Sequence, residues 1–184
     1  MDPFGKIIDC DGLVVDAAIR AFHGADNGDF EGRVSVARGA GIAGRLADLF
    51  GFPPAMRDRT MRMSVRGGPD SATWQRDFDG HLLTSRIERR GSLLLERFGP
   101  VCLIMCLRDE AGALHVDVIG GTLCGLRMPR AVLPHSDSVE TGEDGRLQFD
   151  ISAALPILGP MIRYRGWLQP VDETPLAMPQ ATAG

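Results

Sequence analysis

From about residue 60 onward the chain keeps a two-residue rhythm, and this rhythm constrains the fold more than any other feature. Met61, Met63 and Val65 share one side, and Trp74, Arg76 and Phe78 alternate with Gln75 and Asp77. The same period continues through His81 to Glu88, Leu93 to Phe98, Val101 to Arg108, Ala113 to Ile119, Arg146 to Ala153 and Pro160 to Leu168. Successive side chains of a strand point to opposite faces, so a period of two predicts strands. Asp77-Phe78-Asp79-Gly80, Glu110-Ala111-Gly112 and Glu143-Asp144-Gly145 punctuate them with residues that suit hairpin turns. Nowhere does a strand alternate regularly with a helix of about 10–15 residues, which argues against a parallel α/β sheet. The pattern predicts a mainly β (α+β) chain: a curved antiparallel sheet or half-open β-barrel.

Helical spacing is confined to the first 50 residues. Leu13, Val14, Ala17, Ala18, Ala21 and Phe22 recur at intervals of three and four, which predicts an N-terminal helix over 12–23, with His23 capping its end. Phe30 to Arg38 reads as a half-buried strand with Val34 and Val36 on one face. Ile42, Leu46, Leu49 and Phe50 then mark a second short helix, stopped by Gly51 and Pro53-Pro54. Residues 1–170 thus read as a single β-rich domain. Residues 171–184, with Pro175 and Pro179, read as a mobile tail.

Several strands are apolar on both faces. Val101, Leu103, Met105 and Leu107 lie opposite Cys102, Ile104 and Cys106, and each face needs a cover. A helix with the sheet's own curl, a dimer interface, or a half-open barrel around an apolar ligand would each supply one. The chain is accordingly expected to be a monomer or a homodimer.

Charge and targeting signals exclude several classes. The 184 residues hold 20 basic and 24 acidic side chains, a net charge of −4, with no run of Lys or Arg. Such a balance disfavours a nucleic-acid partner. The N-terminus carries Asp2, Asp9, Asp11 and Asp16 and lacks a basic start followed by an apolar stretch, so no signal peptide is read and a cytoplasmic location is expected. The apolar run from Val101 to Leu107 is far shorter than the roughly 20 residues that span a bilayer, so no membrane span is expected.

Motifs with chemistry are sparse. Gly39-Ala40-Gly41-Ile42-Ala43-Gly44 spells GxGxxG after a strand and before a helix. A dinucleotide site also needs a following strand ending in an acid about 20 residues on, and Gly-Phe-Pro-Pro appears instead. The glycines therefore read as a tight strand-to-helix turn, and no cofactor is expected. Ser136 and Ser138 near His135 fall in HSDSVETGEDG, which reads as a solvated loop rather than a catalytic triad. His23, His81, His115 and His135 lack metal-ligand spacing, and no metal is expected. Cys10, Cys102, Cys106 and Cys124 form no CxxC pair and read as reduced, packed thiols.

The candidate site residues are polar groups on otherwise apolar strands. If Glu96 and Tyr164, the one tyrosine of the chain, face a curved interior, they can exchange protons with a bound molecule, with Arg76 or Arg86 stabilising charge. Trp74, Met105 and Trp167 would line such a pocket. The competing reading places the charged residues on a wet face, in cross-strand pairs worth under about 1 kcal/mol each.

Several blocks together carry a resemblance: Arg20-Ala21-Phe22-His23-Gly24, Phe30-Glu31-Gly32-Arg33, Phe52-Pro53-Pro54, Trp74-Gln75-Arg76-Asp77-Phe78, Leu95-Glu96-Arg97-Phe98-Gly99-Pro100, Leu126 to Pro134 and Tyr164-Arg165-Gly166-Trp167-Leu168. Over about residues 15–170 the chain resembles a bacterial domain-of-unknown-function family that commonly forms the C-terminal domain of saccharopine-dehydrogenase-like or epimerase-like NAD-dependent oxidoreductases. The resemblance brings no catalytic residues, but it implies a separate oxidoreductase as a possible partner. Three functional expectations follow. The first is a cofactor-independent pocket protein for a hydrophobic, lipid-like or polyketide-like small molecule. The second is a cyclase or isomerase acting on such a molecule, and the third an interaction domain working with an oxidoreductase.

Overall fold

A computed structural model describes residues 1–171. Its strands are β1 (Asp29–Arg38), β2 (Met56–Gly67), β3 (Ser71–Phe78), β4 (His81–Arg90), β5 (Leu93–Phe98), β6 (Val101–Glu110), β7 (Ala113–Leu123), β8 (Leu126–Arg127), β9 (Ser138–Glu143), β10 (Arg146–Leu155) and β11 (Gly159–Pro170). β1 through β7 form an antiparallel meander, with a helical connection between β1 and β2 and hairpins from β2 onward; β7 pairs with β9, and β9, β10 and β11 return to β1. Ten strands thus close into a barrel, with β8 a short extension of β7 beyond the ring. The curl expected from the sequence runs to completion, so every long strand has two paired edges.

The hairpin turns behave as their composition requires. Asp79-Gly80, Ala111-Gly112 and Asp144-Gly145 all have positive φ at both central positions, the geometry whose twist matches that of the flanking strands. In β7 an extra residue, Ile119, is accommodated where the pairing with β6 shifts between Ile104 and Met105, and this bulge tightens the local curl. Closure answers the question of the double-sided strands: Leu103 and Met105 line the interior, while Ile104 and Cys106 remain half-buried outside. Of the four cysteines, Cys10 and Cys124 are exposed rather than packed, and all four are free thiols.

One end of the barrel is plugged by α1 (Pro3–Cys10) and α2 (Ala17–Gly24). The helix expected over 12–23 is shorter than its spacing suggested. Gly12, at φ +68, turns the chain out of α1, and Leu13 to Val15 run extended, with Val15 bridging Gly112. Asp16 then anchors α2 to two hairpin ends, its N–H donating to the Gly112 carbonyl and its carboxylate accepting the Gly142 N–H. In α1, which the sequence reading did not include, Asp2 caps the first turn by accepting the Gly5 N–H, and Pro3 opens the helix. Phe4, Ile7 and Ile8, at helical spacing, go into the core. The expectation for residues 171–184 lies outside the described residues apart from Val171.

The second expected helix forms as α3 (Gly41–Leu49) at the opposite end of the barrel. Arg38 holds it in place: its guanidinium donates to the carbonyls of Gly44, Phe52 and Pro53 and to the Asp48 carboxylate. Two of the GxGxxG glycines have a packing reason, and the third, Gly41, sits at φ +63. A Cβ on Gly39 would lie 1.7 Å from the Pro160 carbonyl oxygen, and one on Gly44 would lie 2.3 Å from the Gly39 oxygen. Gly39→Ala is therefore expected to lower stability by about 1–3 kcal/mol, the usual cost of overpacking, in a denaturant titration.

Candidate functional site

Strand alternation sends Trp74 and Arg76 of β3, Ser85 of β4, Glu96 of β5, Met105 of β6, Glu140 of β9 and Tyr164 of β11 to the interior, where they surround a chamber of about 110 Å³. Phe4 of α1 reaches the same chamber from the plugged end. Toward α3 the chamber adjoins a wider vestibule of about 390 Å³, lined by apolar side chains such as Leu46, Phe50, Met128 and Met161. Phe52, Phe98, Leu103, Pro134 and Ala153 border both spaces, so an apolar outer space adjoins a polar inner one inside the barrel.

The polar end is organised around Arg76, which is buried among the strands. Its guanidinium donates to Ser85 Oγ at 3.0 Å and to Glu96 Oε1 at 3.1 Å, and its Cζ lies 5.1 Å from the centre of the Trp74 ring. Burial, the largest single influence, acts to lower the Arg76 pKa, but Glu96, Tyr164 and Glu140 together outweigh it and hold the group above its usual range, fully charged. Tyr164 is only 8 % exposed, lines the chamber, and no described residue hydrogen-bonds its hydroxyl. Burial pushes its pKa up, against a smaller pull from Arg76, which leaves a neutral phenol able to donate or accept. The Trp74 indole N–H is buried and likewise without a partner among the described residues.

Behind the chamber lies a cluster that sequence reasoning did not find. His23, 0 % exposed, is held between two carboxylates, with Nδ1 2.9 Å from Asp2 Oδ2 and Nε2 2.8 Å from Glu140 Oε2. Burial by itself would lower its pKa, but Asp2 and Glu140 reverse the sign and raise it from 6.5 to about 10. The imidazolium stacks on Phe4 at 4.8 Å and lies 5.9 Å from Trp74, so its charge also rests against aromatic faces. Glu140 both accepts from His23 and borders the chamber, which links the buried cluster to the lumen.

Five of the residues singled out in the sequence meet here: Glu96, Tyr164, Arg76, Trp74 and Met105. Two do not. Arg86 sits between the inward-facing Ser85 and Ile87, so its side chain points out, 61 % exposed, and pairs with Glu88 at 3.1 Å. Trp167, between Gly166 and Leu168, faces outward under the Arg146 guanidinium, 4.3 Å from the ring centre. Arg86→Ala is therefore expected to leave ligand uptake unchanged and to cost under about 1 kcal/mol, read by thermal denaturation and by titration of a fluorescent apolar probe.

Two further expectations need correction. His23 does not cap a helix from outside; it lies within α2 and is wholly buried. The stretch read as a solvated loop contains β9, and Ser138 and Glu140 are its buried residues. Its pattern is inverted, with polar groups inside, because Glu140 has a buried cation to meet. The available signal was Asp2, His23 and Glu140 each lying beside apolar residues, but nothing local connects positions 117 residues apart.

The chain matches the family described as Domain of unknown function (DUF4166) over residues 16–168. The chain belongs to this family. The matched span runs from the start of α2 through Leu168 of β11 and so contains every strand of the ring, together with His23, Arg76, Glu96, Glu140 and Tyr164. Asp2 lies outside it. No curated protein matches the chain. Among the described residues no helix is long and apolar enough to cross a membrane.

Proposed function

We propose that this barrel binds a small amphipathic molecule, with its apolar body in the vestibule and its polar end in the chamber beside Arg76, Glu96, Tyr164 and Glu140. One observation carries this reading: the apolar vestibule shares its wall with a chamber that holds the Trp74 indole N–H, buried without a partner among the described residues, beside the unbonded Tyr164 hydroxyl. Unpartnered buried polar atoms are costly, and a ligand end with matching donors and acceptors removes that cost. The vestibule has the size and apolar lining of a small-molecule site, and its methionines adapt to a flexible body.

The test is native mass spectrometry of the purified protein, followed by titration with a fluorescent apolar probe. A retained compound, or probe binding that Ala153→Trp weakens tenfold or more by filling the junction of the two spaces, is the expected result. A protein that carries nothing and binds no apolar probe overturns the reading.

A second reading makes the site catalytic, and the chamber's chemistry favours it: carboxylates at Glu96 and Glu140, a neutral phenol at Tyr164 and a fixed cation at Arg76 are the groups of a cofactor-independent isomerase or cyclase. Glu140→Gln and Tyr164→Phe would each slow turnover of the retained compound by about 100-fold or more. The oxidoreductase partnership implied by the sequence resemblance is the weaker reading, because the inner apolar faces of the strands enclose a lumen and are not left for an interface.

A further inference from the structure

Among the described residues, seven of the eleven exposed large hydrophobics gather around the mouth of the vestibule, although they come from three separate stretches of chain. Ile42 and Leu49 lie on α3, Leu126 (76 % exposed) on the β7–β8 hairpin, Val132 in the loop that follows, and Ile157 (79 %) in the β10–β11 turn. On α3 the helical spacing puts Ile42 and Leu49 on the flank next to Leu46 and Phe50, which line the vestibule itself. Such a cluster at the tips of loops, encircling an opening, is not the scatter of single apolar residues that ordinary surfaces carry.

Charge decides which partner fits. The stretches 41–50, 123–133 and 155–160 contain Arg45, Arg127 and Arg130, all exposed, and no described residue pairs with any of them. Their one acid, Asp48, is bridged by Arg38 at 2.7 Å. On a chain of net charge −4, the mouth is therefore an apolar and positively charged end. We infer that the mouth docks on an anionic lipid bilayer, with the ring of apolar tips entering the interface and Arg45, Arg127 and Arg130 meeting lipid phosphates. Shallow insertion of apolar side chains flanked by arginines is how peripheral proteins hold to anionic surfaces. The vestibule would then open directly onto the acyl layer. The inference stands on the rim residues alone and holds whether or not the lumen carries a ligand.

Co-sedimentation of the full chain with phosphatidylcholine vesicles, with and without phosphatidylglycerol, tests it. The expected result is binding to the mixed vesicles that falls by about 100-fold on pure phosphatidylcholine or at high salt, and by a similar factor in Arg127→Glu/Arg130→Glu. Leu49→Asp/Leu126→Asp is expected to abolish binding; neither residue lines the vestibule, so probe uptake into the lumen should persist in this variant. That readout separates failure of docking from failure of the ligand reading. Wild-type protein that ignores mixed vesicles, or binding that survives Leu49→Asp/Leu126→Asp, overturns the inference. So does a dimer dispersed by the same substitutions, which would assign the mouth to a protein interface.

Discussion

Replacing His23 with alanine is expected to cost about 3–5 kcal/mol and to lower the melting temperature by about 10 °C, because it leaves Asp2 and Glu140 buried without their shared cation. The same group makes stability depend on pH with a defined sign. In the unfolded chain the imidazole titrates at its ordinary 6.5, and in the folded one at about 10. Between these values the native protein keeps a proton that the unfolded chain has released, so unfolding sheds a proton and stability falls as pH rises through the window. The contribution is complete below pH 6.5 and lost above pH 10. Denaturant titrations across this range should show that decline in the wild type, and His23→Gln should flatten it. An unchanged slope in His23→Gln would mean that another group carries the pH dependence.

The chamber is expected to choose ligands by the charge of their polar end. Its walls hold one positive group, Arg76, against two negative ones, Glu96 and Glu140, and the pair behind them, His23 and Asp2, cancels. One negative charge is left formally unbalanced in a space lined by Trp74, Phe4 and Tyr164. A like charge brought into a desolvated site costs several kcal/mol, whereas an opposite one is stabilised there. Among ligands with the same apolar body, a primary amine should bind about 100-fold more tightly than a carboxylate, with the alcohol between them. Glu96→Gln removes one of the negative groups while retaining an oxygen for Arg76, and it should narrow the amine-to-carboxylate ratio by about tenfold. Competition against a fluorescent probe measures both ratios. A carboxylate that binds best would show that Arg76 is released from Glu96 to meet it, and the assignment of the polar end would fail.

The amino-acid sequence by itself determined the strands and their turns, because both depend on neighbours only a few residues apart. The two-residue period of Met61, Met63 and Val65 and the positive-φ turn at Asp144-Gly145 need no distant partner to be recognised. The same local rule put Trp74 and Arg76 on one face. The tertiary structure alone decided which face is inside, for a sheet becomes a lumen only when its first and last strands meet. Here the pairing of β1 with β11 and of β7 with both β6 and β9 closes that ring. Closure turned Glu96 and Tyr164 inward while leaving Arg86 and Trp167 outside, a distinction that parity along each strand settles once one strand is placed. It also reversed the meaning of β9, where Ser138 and Glu140 look solvated in sequence and are buried in the barrel. The Asp2–His23–Glu140 cluster was the least legible feature, since its ion pairs join the first turn of α1, the end of α2 and a strand far along the chain. Local periodicity records how a segment is covered, but a buried charge is explained only by the partner that folding brings to it.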